Sequence, residues 1–160
     1  MVVKEIRDED FTSYKKPSMV IGFPHCSWKC GKGLCQNSLL AKSPNVEIDI
    51  TTLVKRYIDN SITHAIIFAG LEPFDSPLVL PELIQEFRKY TDDDIVIYTG
   101  YEKDELTEGL QSLKDTYDKI KQFPNIVVKF GRFIPNQQPH YDEVLGIKLA
   151  SDNQHAERIS

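Results

Sequence analysis

Cys26, Cys30 and Cys35 fall within ten residues of one another, and the rest of the chain has no cysteine. An odd number of thiols cannot close into a disulfide framework among themselves. In a reducing compartment, clustered thiols more often bind metal or do redox chemistry. Spacings of three and four intervening residues let one loop wrap three thiolates around a corner of a cubane iron–sulfur cluster. Such clusters favour thiolate because it is soft and strongly donating. Three protein ligands leave one iron without a side chain, and an open coordination position is where a metal centre can take a substrate. Lys29, Lys32 and the backbone N–H groups near Gly31 and Gly33 can stabilise thiolate or cluster charge.

Two other readings compete. A structural zinc site would need His25 as its fourth ligand, but His25 and Cys26 are adjacent, which suits tetrahedral chelation poorly, and no C-x2-C pair is present. Unligated surface thiols are the other, and exposed free cysteine is usually avoided.

The loop must be held by something. Met19 to Phe23, MVIGF, is a short apolar run ending at Pro24 and reads as a buried strand. Residues 24–44 have no periodicity and form a loop longer than most, as functional loops often are. Thr51 to Asn60 reads as a helix with Leu53, Val54, Tyr57 and Ile58 on one face, capped by Asp49 or Thr51. Ala65 to Ala69 is an apolar strand without alternation, which predicts cover on both faces. After a turn from Gly70 to Pro77 a helix turns Leu83, Ile84 and Phe87 inward. Ile95 to Tyr98 is a third strand. Glu102 to Gln122 is helical, with Gly109 a point where it can break in two. Ile126 to Lys129 is a fourth strand.

Strands alternating with helices predict an α/β fold of βαβ units with a parallel sheet. Ligands of such folds bind at the carboxyl ends of the strands. The cysteine loop, Gly70–Pro73, Thr99–Tyr101 and Gly131–Phe133 each follow a strand, so four unusual segments should meet on one rim.

The 160 residues fit a single domain, 1–160, long enough to bury a core without cross-links. A net charge of −5, with Lys and Arg scattered, argues against a nucleic-acid partner. No apolar run is long enough to span a membrane, and the charged N-terminus has no signal-peptide core. Cytoplasmic placement is expected.

The segment Cys26-Ser-Trp-Lys-Cys30-Gly-Lys-Gly-Leu-Cys35-Gln-Asn37 resembles the cluster loop of radical S-adenosylmethionine (SAM) proteins. It looks closest to the anaerobic ribonucleotide reductase activating proteins, in which an Asn commonly follows the third Cys by two residues. Gly70-Leu71-Glu72-Pro73 resembles that family's Gly-Gly-Glu-Pro motif, and Tyr98-Thr99-Gly100-Tyr101 its Tyr-Thr-Gly-Tyr segment. Gly131-Arg132-Phe133 is similar to its Asp-Gly-x-Phe segment, and Ser151-Asp152-Asn153-Gln154 to its Ser-x-Asn-Gln tail. These matches fall in order from residue 19 to residue 154. Three features depart from the pattern. Four residues rather than two separate Cys30 from Cys35, Leu71 replaces a Gly, and Phe130 stands where the family often has Asp.

The resemblance implies an incomplete (β/α) barrel of the radical SAM type. It implies a [4Fe-4S] cluster on Cys26, Cys30 and Cys35 that reductively cleaves SAM to methionine and a 5′-deoxyadenosyl radical. Gly70, Leu71, Glu72, Pro73, Thr99, Tyr101 and Asn37 would then lie around SAM, with Tyr101 able to stack on adenine. Trp28 would shield the cluster or dock a partner. The implied partners are a glycyl radical enzyme (anaerobic ribonucleotide reductase) and a flavodoxin-type or other one-electron reductant. A radical SAM enzyme acting on a small molecule or peptide, and a non-catalytic zinc or iron–sulfur module, are the alternatives. His64 and His140 read as ordinary surface or satisfied residues.

Overall fold

A computed structural model describes residues 1–160. In chain order the strands are β1 (Val2–Val3), β2 (Glu5–Asp10), β3 (Ser18–Phe23), β4 (Val46–Glu47), β5 (Ala65–Gly70), β6 (Asp94–Tyr98), β7 (Ile126–Phe130), β8 (His140–Asp142), β9 (Ile147–Leu149) and β10 (His155–Arg158). The helices are α1 (Ser38–Lys42), α2 (Ile50–Ile58), α3 (Val79–Phe87), α4 (Lys103–Thr107) and α5 (Gln111–Ile120).

One six-stranded sheet organises the molecule, in the order β10-β7-β6-β5-β3-β2. Its four central strands are parallel. The two edges are not: β2 runs antiparallel to β3, and β10 antiparallel to β7. The expected wholly parallel sheet is therefore a mixed one. The connection from β2 to β3 is too short for the crossover that parallel neighbours require, so the chain turns straight back. The edges do not pair with each other, and the sheet is open.

The two faces of the sheet have different cover. Met19, Ile21, Phe23, Ile66, Phe68, Ile95, Ile97, Val128 and Phe130 share one core with the apolar faces of α2, α3, α4 and α5. The helices start and stop for local reasons. Asp49 caps α2, its carboxylate accepting the Thr52 N–H at 3.0 Å. The expected long helix is two, α4 and α5, parted between Glu108 and Leu110 around Gly109, whose helix propensity is poor. Truncating a fully buried aromatic such as Phe68 would cost about 3–5 kcal/mol.

The opposite face carries Val20, Ala65, Ile67, Val96 and Val127, covered by Tyr14, Leu145, Leu149 and Ala156. Leu145 and Leu149 come from the β8–β9 hairpin region. That cover lies toward the amino ends of the parallel strands. Toward their carboxyl ends the same face, with Ala69, Tyr98 and Lys129, opens into a cavity. No helix is long and apolar enough to cross a membrane.

Candidate metal centre

Every rim segment singled out by the sequence meets at this cavity. Its volume is about 310 Å³, and its walls include Cys26, Cys30, Cys35, Gly70, Leu71, Glu72, Thr99, Gly100, Tyr101, Gly131, Arg132 and Phe133. The cysteine loop leaves β3 at Phe23, turns through a 3-10 segment at Lys32–Leu34 and closes with α1. All three thiols are half-buried.

The backbone of the loop is shaped around its first thiol. Trp28 adopts φ 59°, a left-handed conformation that a bulky residue seldom holds. Its N–H donates to Cys26 Sγ at 3.2 Å, and its carbonyl accepts the Gly31 N–H at 2.8 Å. Burial pushes the Cys26 thiol up to about 11, against the Trp28 N–H, and the nearby Glu72 and Asp75 carboxylates and Cys30 act in the same direction as burial. Burial also raises Cys30, and so does Cys35, which it lies against. Both thiols are therefore protonated without a metal, and ligation releases their protons.

This donor set suits a cluster better than a single ion. A zinc ion holds its sulfurs at about 2.3 Å from one point. No three His, Cys, Asp or Glu side chains converge in that way, and His25 is exposed. A cubane instead takes each thiolate through a different iron, and three thiols that line one cavity without converging on a single point match that demand.

Two fastenings hold the loop to the rim. Asn37 Nδ2 donates to the Gly70 carbonyl at 2.6 Å. At the other arm the Ser27 N–H and the Tyr101 hydroxyl both donate to Asp75, the latter at 2.6 Å. Lys29 Nζ pairs with Glu105 at 2.8 Å and sits 4.6 Å from the centre of the Tyr101 ring. Arg132 pairs with the same Glu105. Lys32 lies over Trp28, 5.7 Å from its ring centre.

Glu72 is buried, and its carboxylate joins two strand ends. It accepts the Phe74 N–H at 3.2 Å, the Thr99 hydroxyl at 2.7 Å and the Gly100 N–H at 2.8 Å. Burial raises its pKa to about 7 despite these donors. Pro73, also buried, opens the 3-10 turn Pro73–Asp75. The left-handed turn falls on Gly70, at φ 94°, and not on Leu71. A Cβ on Gly70 would stand 2.6 Å from the Phe23 nitrogen. Leu71, which departs from the Gly-Gly-Glu-Pro pattern, is thus outside the left-handed region and needs no glycine.

Tyr101 is buried against the helical core, with its hydroxyl in the Asp75–Ser27 network. Phe130 points into that same core. Asn153 Nδ2 donates to the Arg132 carbonyl and to Glu102, and Gln154 Nε2 to the Gly131 carbonyl, so the tail is tied to the rim. His64 is exposed, and His140 is half-buried with Nδ1 unpartnered.

Asp75, Glu105 and Lys129 were not among the residues singled out from sequence. Asp75 and Glu105 look like ordinary loop and helix acids there. Lys129 had a signal: it is the one charge in the apolar run Ile126–Phe130.

A family model described as "4Fe-4S single cluster domain" matches residues 19–154, from β3 through the Asn153-Gln154 tail. Neither a curated protein nor a solved structure matches the chain.

Proposed function

We propose that this chain, which belongs to the 4Fe-4S single cluster domain family, is a radical SAM enzyme of the glycyl-radical-activating type. Cys26, Cys30 and Cys35 hold the cluster. The observation that carries the reading is the cavity itself: the three thiols share its wall with Gly70, Glu72 and Thr99. Three cysteines would leave one iron of such a cluster without protein sulfur, and the cavity that the three line is of a size for a small molecule.

A cluster held by Cys26, Cys30 and Cys35 would supply one-electron reduction, the chemistry needed to cleave the carbon–sulfur bond of SAM. The protein's part is binding, orientation and exclusion of water. Asn37, Asp75 and Glu105 keep the cysteine arms against the rim. Glu72 fixes the turn after β5 to the turn after β6, so the two segments form one rigid wall. Trp28, between the first two cysteines, shields the loop or meets a partner.

The open six-stranded sheet is read as an incomplete barrel, and an open side lets a large substrate approach. That favours a glycyl radical enzyme, such as anaerobic ribonucleotide reductase, over a small molecule. The electron comes from a flavodoxin-type or other one-electron reductant.

The test is anaerobic reconstitution with iron and sulfide, then dithionite and SAM, with 5′-deoxyadenosine as the readout. Product is expected from loaded protein, and none from a Cys30→Ser variant. A fully loaded protein that makes no 5′-deoxyadenosine overturns the enzymatic reading. A glycyl radical signal on the reductase, seen by electron paramagnetic resonance, tests the partner separately.

A further inference from the structure

We infer that Glu105 is a positioning residue: it holds two cations, Lys29 and Arg132, beside Cys30, where their surplus charge raises the reduction potential of the cluster. The inference rests on the cluster alone and not on what the cluster reduces.

The two cations stand on different elements. Lys29 is the loop residue before Cys30, and Arg132 follows the end of β7. Both line the cavity together with the three thiols. Glu105, on α4, joins them. Its Oε1 accepts from Lys29 Nζ at 2.8 Å, and its Oε2 accepts from Arg132. Oε2 also accepts the Glu102 N–H at 2.8 Å, which fixes the carboxylate at the first turn of α4. Lys29 lies 4.6 Å from the centre of the Tyr101 ring, a second restraint on the same side chain. Only about a quarter of the Arg132 and Glu105 side chains is exposed, so solvent screens them less than an ordinary surface pair.

The first two thiols meet opposite charges. The Glu72 and Asp75 carboxylates act on Cys26, whereas the Arg132 guanidinium acts on Cys30. Two cations and one carboxylate leave one surplus positive charge at Cys30. Reduction adds an electron to the cluster, and a nearby positive charge favours the state that holds it. Local charge is one of the levers by which a protein sets cluster potential. Lys29 with Glu105 is enough to fasten the loop to α4. Arg132 belongs to neither element, and what it adds at Cys30 is charge.

The test is a potential-controlled reduction of reconstituted wild-type, Arg132→Gln, Arg132→Lys and Glu105→Gln proteins. It is run at low salt without SAM, and the reduced cluster is counted by electron paramagnetic resonance. Arg132→Gln removes the surplus charge and should lower the midpoint potential, with severalfold less cluster reduced at a fixed potential. Arg132→Lys keeps the charge and should restore most of the loss. Glu105→Gln removes the balancing anion and should raise the potential. Lys29→Gln, also expected to lower it, stands in for Arg132→Gln if that variant does not load, and Glu105→Ala does so for Glu105→Gln. Shifts of the same sign in the Arg132→Gln and Glu105→Gln proteins, or no shift in either, overturn the inference. Potentials that move as expected in a protein that makes no 5′-deoxyadenosine from SAM overturn the SAM reading and leave the role of Glu105 standing.

Discussion

Asn37, two residues past the third cysteine, donates its side-chain amide to the carbonyl of Gly70 at 2.6 Å. The contact joins the far arm of the cysteine loop to the end of β5, across 33 positions of sequence. Asn37 is otherwise exposed and α1 after it buries no residue; the arm's other tie is Lys4, whose Nζ donates to the Ala41 and Ser43 carbonyls at 3.2 and 2.7 Å, so the Asn37 bond is the hold nearest the third cysteine.

Replacing Asn37 with Ala should therefore act on the cluster more than on the fold. Loss of one partly buried hydrogen bond costs about 1 kcal/mol. The expected outcome is a melting temperature lowered by only a few degrees, with a several-fold faster loss of cluster to an iron chelator, followed by absorbance. An unchanged rate of loss would show that the Lys4 ties to Ala41 and Ser43 alone hold the arm.

Gly70 tolerates no side chain. At φ 94° an L-residue is strained, and its Cβ would meet the Phe23 nitrogen at 2.6 Å and the Gly22 backbone within 2.8 Å. Backbone atoms in paired central strands cannot step aside. Gly70→Ala should lose roughly 3 kcal/mol or more, at the upper end for single substitutions. Leu71→Gly, one residue on, should lose far less, since Leu71 is only half-buried and outside the left-handed region. Chemical denaturation of the two variants side by side checks the contrast.

Glu105 pairs with Lys29 and Arg132 together, and its second oxygen also accepts the Glu102 N–H at 2.8 Å. Burial works against its charge, but Lys29, the Glu102 N–H and Arg132 outweigh it and hold the carboxyl below its ordinary value. Lys29 lies one residue before Cys30, so the Glu105→Gln variant frees the near arm of the loop. The stability change should stay within about 1 kcal/mol, because Lys29 is largely solvated. Cluster loss to chelator should quicken at low salt, and the gap from wild type should narrow as salt screens the pairs. A salt-independent gap would point to packing and not charge.

How much of this could be read beforehand differs between the middle and the edges of the sheet. The four parallel strands and the helices α2, α3 and α5 follow from apolar runs and helical spacing, because each is buried on a wide face. β2, with the sequence EIRDED, has no such signal. As an edge strand it keeps charges in solvent and carries a register shift between Arg7 and Asp10. β10 is hidden for the same reason. Within the site, the cysteines and the rim motifs were visible as types and spacings. The fastening acids were not, because Asp75 and Glu105 acquire their roles only from residues 48 and 76 positions away. The charge of Lys129 was visible, but nothing in IVVKF tells which face of the sheet it takes.

Glu72 gives the protein a pH dependence of unusual sign. Its ordinary pKa is 4.5, and burial raises it to about 7 in the folded chain. Between those values the folded protein holds a proton that the unfolded chain has released. Stability from this group is then fully present below pH 4.5, falls as pH rises toward 7 and levels off beyond it. Carboxylates held low, such as Asp10, Asp94 and Glu105, act only on the acid side of this window, where they lose stability as pH drops. The Glu72→Gln variant keeps a neutral side chain at every pH, so the decline should vanish in it. The difference between the two proteins across the window should be on the order of 3 kcal/mol. Urea unfolding of the metal-free protein at intervals from pH 4.5 to pH 7.5 measures it. Parallel curves for wild type and variant would mean that Glu72 stays charged in the fold, held there by Thr99, Gly100 and the Lys129 ammonium.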